Sequence, residues 1–212
     1  MQRPTRSYRG ADAEERVSDR RERLLTAGIE IFGTTGYRTA TVAGLCARAG
    51  LTKRYFYESF EDSEALLLGC YQRAAAEIHQ EMVRAVAEAP VTVADQLQAA
   101  LAGYFGAIDA DQRLARITLL EILGVSATVD AAYRAETDRF ANSVELLAGA
   151  AFTGSGLPTV QRHIVAQGII GAITTIAAQW VLDGRRQPRP DVIAGTNALV
   201  LGVLDRLARG TG

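Results

Sequence analysis

The sequence predicts an all-α chain: an N-terminal three-helix head holding a helix-turn-helix, followed by a larger C-terminal helical body. Three observations carry this. No β-strand pattern of any length occurs, while apolar residues recur at three- and four-residue spacing. Residues 39–60 read as two short helices around a tight turn. Residues 164–182 carry no charge over 19 positions, which suits a helix buried against protein. With 48% hydrophobic residues in 212, the chain can bury a substantial core.

Residues 1–18 set Arg3, Arg6, Arg9 and Arg16 among Gly, Ser and acidic residues, which reads as a flexible basic arm. The first helix is expected over residues 19–33, with Leu24, Leu25, Gly28, Ile31 and Phe32 inward. Arg20, Arg21 and Arg23 at its start oppose the helix dipole, a conflict that a nearby polyanion would relieve. Thr41 is the N-cap candidate of the next helix, whose apolar face is Val42, Leu45 and Cys46. Ala47 is small enough for another helix to cross closely. Gly50 ends it, because that position needs a positive φ, which glycine adopts freely. Thr52 caps a third helix that turns Phe56 and Phe60 inward and Lys53, Arg54, Tyr55 and Tyr57 outward. In a helix-turn-helix, such outward residues on the second helix meet the DNA major groove.

A fourth helix starts at Asp62 or Ser63 and reaches about residue 86, with Leu66, Leu67, Cys70, Tyr71 and Ala74 on its apolar side. Pro90 ends it. Helices follow over residues 92–108, then 113–123 with Asp111 as cap, then from Thr128 or Asp130 to residue 152. Residues 154–158 are a Gly- and Pro-bearing loop. The last two helices, residues 159–182 and 191–208, flank a short proline-bearing linker and so are expected as antiparallel neighbours.

The pattern Phe32-Gly33-x-x-Gly36-Tyr37-x-x-Ala40-Thr41-Val42, continued by Ala49-Gly50-Leu51-Thr52-Lys53-x-x-Phe56-Tyr57-x-x-Phe60, resembles the DNA-binding domain of the tetracycline-repressor (TetR) family. The resemblance spans residues 24–67; Arg54, Glu58 and Glu61 depart from residues that family members often carry there. It implies a basic arm (1–18), a DNA-binding domain (19–62) and a helical effector-binding and dimerisation domain (63–212). It also implies that the fourth helix links a ligand pocket to the head. The residue chemistry puts Lys53, Thr41 and the Tyr57 hydroxyl on phosphates, with Thr52 a further donor. Arg54 and Tyr55 suit base edges. The expected partners are a double-stranded operator, a second copy of the chain bound through the last two helices, and a small apolar effector. For the effector cavity the candidates are Tyr104, Ile108, Ile117, Glu121, Phe140, Gln167 and Trp180.

Charge agrees with a chain that touches a polyanion at one end. Residues 1–60 hold 11 Lys and Arg against 7 Asp and Glu, and the rest hold 12 against 17. Enzymatic chemistry finds no support. His79 and His163 lie in different helices with no metal-ligand spacing, and the glycines of residues 149–154 lack the lysine of a phosphate loop. No catalytic residue, metal or cofactor is expected. Cys46 and Cys70 read as reduced core thiols, and the charged N-terminus does not resemble a signal peptide, so a cytoplasmic location is expected. Gln167, Thr174, Thr175 and Gln179 interrupt the charge-free run, and no second such run exists, which argues for an interface helix over a membrane span. The competing readings are a helical interaction protein that binds no operator and a regulator without a small-molecule ligand.

Overall fold

The computed structural model describes the backbone of residues 7–210 and side chains from residue 14 to residue 210; within these it is helical, with no strand. In order, α1 is Ser7–Thr34, α2 Val42–Ala49, α3 Lys53–Ser59, α4 Ser63–Glu88, α5 Val93–Ala110 and α6 Gln112–Arg116. A π-turn, Ile117–Glu121, extends α6; then come α7 Ala127–Leu147, α8 Gly149–Gly154, α9 Thr159–Leu182 and α10 Arg189–Ala208.

The head is α1, α2 and α3 packed around Leu24, Phe32, Leu45 and Phe56, all fully buried, with Leu66 and Leu67 of α4 closing the cluster. Its helix starts are readable in local chemistry. The Thr41 hydroxyl accepts the Gly44 N–H at 3.1 Å, and Asp62 Oδ1 accepts that of Ala65 at 2.8 Å. Gly50 sits at φ 64°, the left-handed conformation that ends α2. Thr52 makes no such cap bond, and Ala47 is exposed; Ala49 is the small residue buried against the neighbouring helix.

Four boundaries differ from the sequence reading. α1 begins at Ser7, so residues 7–18, expected as a flexible arm, continue the first helix. Their charge hid the helix-forming run of Ala, Glu and Arg. Arg3 and Arg6 of that arm lie outside the described residues. Ser126 rather than Thr128 or Asp130 opens α7, its hydroxyl accepting the Val129 N–H at 3.2 Å, and the helix breaks at Ala148 before the short α8. α10 starts at Arg189, because Pro190 sits in its first turn, where a missing N–H costs nothing.

α4 has 26 residues, about 39 Å of helix, and passes from the head into the body. Two crossings tie it and α1 to the rest. A Cβ on Gly33 would sit 2.6 Å from the Arg113 Cα, and one on Gly103 would sit 2.8 Å from the Glu81 carbonyl. Only glycine lets α1 reach α6, and α5 reach α4, at these distances. By length and composition α9 could cross a membrane, yet Ile169, Ile170, Ile173 and Trp180 are buried in the body. α9 rests mainly on α7, while α10 rests on α5 and α8 more than on α9. The α9–α10 pairing expected from the short linker is thus the lesser contact of each helix.

Candidate nucleic-acid interface and effector cavity

On the outer face of the head, Thr41, Thr52, Lys53, Arg54, Tyr55 and Tyr57 are all exposed. Phe56 and Phe60 anchor α3 beneath them, at 0% and 4% exposure. The donors form a patch because α3 is short and its two aromatic anchors fix its rotation. Two details revise the reading of this patch. Arg54 Nε donates to Glu58 Oε1 at 2.9 Å one turn along, so a carboxylate shares the recognition face. The Tyr55 ring lies under the Arg20 guanidinium, 4.4 Å from its centroid, so Tyr55 is braced by α1 while Tyr57 stands clear.

Arg20, Arg21 and Arg23 lie in the middle of α1 and staple the motif, where the sequence placed them at a helix start awaiting an external polyanion. Arg23 donates to the Ala49 carbonyl at 2.8 and 3.1 Å and to that of Gly50 at 3.1 Å, satisfying the orphan carbonyls at the end of α2. Arg21 donates to the Ser59 carbonyl at 2.9 Å and stacks over Phe60. Arg20 lies 3.8 Å from Glu58. These partners are 26 to 38 residues away in the chain, beyond any local pattern.

Behind the head, α4, α5 and α7 line a cavity of about 650 Å³, with α9 and the π-turn contributing to its walls and its mouth open to solvent beside Val83 and Leu146. That volume lies within the range of small-molecule sites. Ile78, Met82, Leu97, Leu101 and Ile173 give it mainly apolar walls. Of the seven residues proposed from sequence, Tyr104 and Phe140 line it. The other five are placed elsewhere. Ile108 and Ile117 are wholly buried in the solid core. Trp180 packs edge-on against Phe105 and donates Nε1–H to the Gln187 carbonyl at 2.9 Å. Gln167 donates to Asp138 at 2.8 Å on the α7–α9 surface. Glu121 turns toward the head and accepts the Tyr37 N–H at 2.8 Å. Apolar and aromatic letters do not separate a cavity wall from a filled core, which is why these five were misplaced.

Sequence reasoning missed Tyr71, Tyr133 and Glu136, which form a polar patch on the cavity wall with Tyr104. Burial pushes the Tyr71 hydroxyl up from its ordinary range, and Glu136 adds to it; burial does the same to Tyr104. Both phenols therefore stay protonated as hydrogen-bond donors. Among the described residues no cluster of three His, Cys, Asp or Glu has the arrangement of a metal site.

Comparison with known proteins agrees with this geometry. The model of bacterial regulatory proteins of the tetR family matches residues 24–70, which contain the whole of α2 and α3. Over 192 residues the chain is 26% identical to the HTH-type transcriptional activator FasR of Mycolicibacterium smegmatis, covering 89% of this chain and 84% of that protein. Residues 24–70 thus match the DNA-binding domain of tetR-family regulators, and the whole chain is similar to members of that family. The curated relative and the family whose model matches are DNA-binding transcription regulators rather than enzymes. The fold is shared with the fatty acid degradation regulator FadR of Bacillus halodurans, at TM-score 0.73 and 19% identity, covering 86% of this chain and 95% of that one. It is shared equally with FadR of Bacillus subtilis, solved in complex with stearoyl-CoA, at TM-score 0.70 and 19% identity, covering 90% and 99%.

Proposed function

We propose that this chain is a TetR-family regulator that represses transcription by binding a palindromic operator as a homodimer and releases it when a long-chain acyl ligand, such as an acyl-CoA thioester, fills the cavity. The observation that carries the reading is the apolar cavity of about 650 Å³, walled by the same helix, α4, that enters the head. The stearoyl-CoA held by a regulator of this fold supports the ligand class. On the DNA side, Lys53, Thr41, Thr52 and Tyr57 meet phosphates, and Arg54 and Tyr55 meet base edges. A two-fold dimer then sets the recognition helices on half-sites about 34–36 Å apart or a multiple.

The dimer surface is the outer face of α9 and α10. Val160, Ile164 and Leu182 are 72%, 59% and 60% exposed, and Leu199 is 48% exposed. Gly168, Gly171, Gly195 and Gly202 have open space beyond their Cα, so a second backbone can approach closely. An apolar stripe of this length on two neighbouring helices suits an interface rather than water. The inner side of α10, with Thr196, Val200 and Leu207, is buried in the chain's own core.

An activator mode is the second reading, favoured by the name of the relative FasR. A footprint over the DNA upstream of the chain's own gene tests the proposal. A two-fold symmetric protected site, cleared by stearoyl-CoA and not by coenzyme A alone, supports it; an asymmetric footprint indifferent to the thioester contradicts it. A promoter-reporter fusion whose output falls when the protein is removed selects the activator mode.

A further inference from the structure

The polar patch in the cavity has a composition that an apolar acyl chain does not need. Glu136 is 7% exposed on α7, and its carboxylate pairs at 3.2 Å with Arg139, whose own side chain is 67% exposed. The balancing cation therefore lies at the protein surface while the carboxylate stays inside. Tyr71 of α4 and Tyr104 of α5, at 4% and 8% exposure, line the same wall. Neither hydroxyl has a protein hydrogen-bond partner among the described residues, and both residues line the cavity, so a ligand acceptor can take these donors. Tyr133, one turn before Glu136, completes the group.

This patch offers unused O–H donors beside a fixed negative charge. A ligand head group that accepts hydrogen bonds and carries no charge satisfies both. An anionic head satisfies the donors but meets Glu136 in a low-dielectric site, where like charges repel strongly. Resting on the effector reading above, we infer that Glu136 makes this cavity select neutral acyl derivatives (thioester, ester, amide or alcohol) and exclude free fatty acids. Glu136 is a specificity-determining residue, set against the ligand's head, while the apolar walls take the chain. His79 also lines the cavity, with Nδ1 buried and without a partner, and it too can meet a neutral head group.

Calorimetric titration of methyl dodecanoate and dodecanoate into the full-length protein tests this at pH 8. The two probes share a chain length and differ in head charge. The carboxylate's own hydration favours the ester in any apolar site, so the comparison is made against Glu136→Gln, which keeps size and removes charge. The wild type is expected to prefer the ester, and Glu136→Gln to gain about tenfold or more for dodecanoate while ester affinity stays level, which also reports an intact fold. Equal binding of both probes by the wild type, or an unchanged preference in Glu136→Gln, overturns the inference while leaving the effector cavity standing. If neither probe binds the wild type, the effector reading falls and this inference falls with it.

Discussion

Glu121 holds Tyr37 across 84 residues of chain: its Oε2 accepts the Tyr37 backbone N–H at 2.8 Å, and its Oε1 accepts Arg116 Nε at 2.8 Å. Arg116 in turn donates to the Thr34 carbonyl at 2.8 Å, so the end of α1 is clasped from both sides. Gly36, at φ 96°, leaves room for this clasp; a Cβ there would come within 3.0 Å of Arg116 and 3.1 Å of Glu121. Glu121 closes the π-turn whose Thr118 and Leu119 face the cavity. Five residues thus connect the cavity wall to the head, alongside α4.

Glu121→Ala leaves the Tyr37 amide without its acceptor and Arg116 with the Thr34 carbonyl alone. The expected cost is about 1–3 kcal/mol of stability, read as a lowered melting temperature. Acyl-ligand affinity should persist, because Glu121 does not line the cavity. The change in DNA affinity on adding ligand should shrink, and an undiminished change would remove this clasp from the coupling route.

The recognition helix separates two contributions. Lys53→Ala should weaken binding to every duplex alike and flatten its salt dependence by about one counterion. Arg54→Ala should narrow discrimination among operator variants by about 1–3 kcal/mol at one base pair. Glu58→Gln frees Arg54 from its partner and should raise affinity for non-operator DNA. Competition binding against mutated operators measures all three, and intact discrimination in Arg54→Ala would refute the base-reading role.

Leu199→Glu or Gly171→Glu places a charge on the outer α10 or α9 face without disturbing the chain's own core, since Leu199 is half exposed and Gly171 opens on empty space. Val200 is unsuitable for this test, being wholly buried. Light scattering should report a dimer for the wild type and monomers for either variant, with operator binding weakened in step. A wild-type monomer at micromolar concentration would exclude the dimer.

Gly33→Ala should destabilise by about 1–3 kcal/mol, as overpacking does, because the new methyl meets the Arg113 backbone. Thermal denaturation checks the magnitude, and a neutral effect would mean that α1 and α6 can part freely.

What the sequence made legible was local. Thr41, Asp62 and Asp111 were readable as caps, and each accepts the N–H expected of it. The outward set on α3 was equally readable, because Phe56 and Phe60 fix its inward side four residues apart. Long-range partners were not legible: nothing near Arg23 marks it as the cap of a helix ending 26 residues later. The cavity was legible only in small part, since Tyr104 and Phe140 line it whereas Trp180 and Ile108 fill core. A wall and a core demand the same residues, and only the packing of α4, α5 and α7 leaves one of them open. Glu136 lay in an ordinary charged stretch of α7 and could be singled out only by its burial.

The most direct measurement is the affinity of the full-length protein for its own upstream DNA, by fluorescence anisotropy at one fixed salt concentration, with and without saturating stearoyl-CoA. The Leu101→Trp variant, which narrows the cavity at its wall, serves as control. The expected result is specific binding weakened about 5- to 150-fold by the thioester in the wild type and not in the variant. Binding no tighter than to random duplex, or an affinity that the thioester leaves unchanged, would contradict a ligand-responsive repressor.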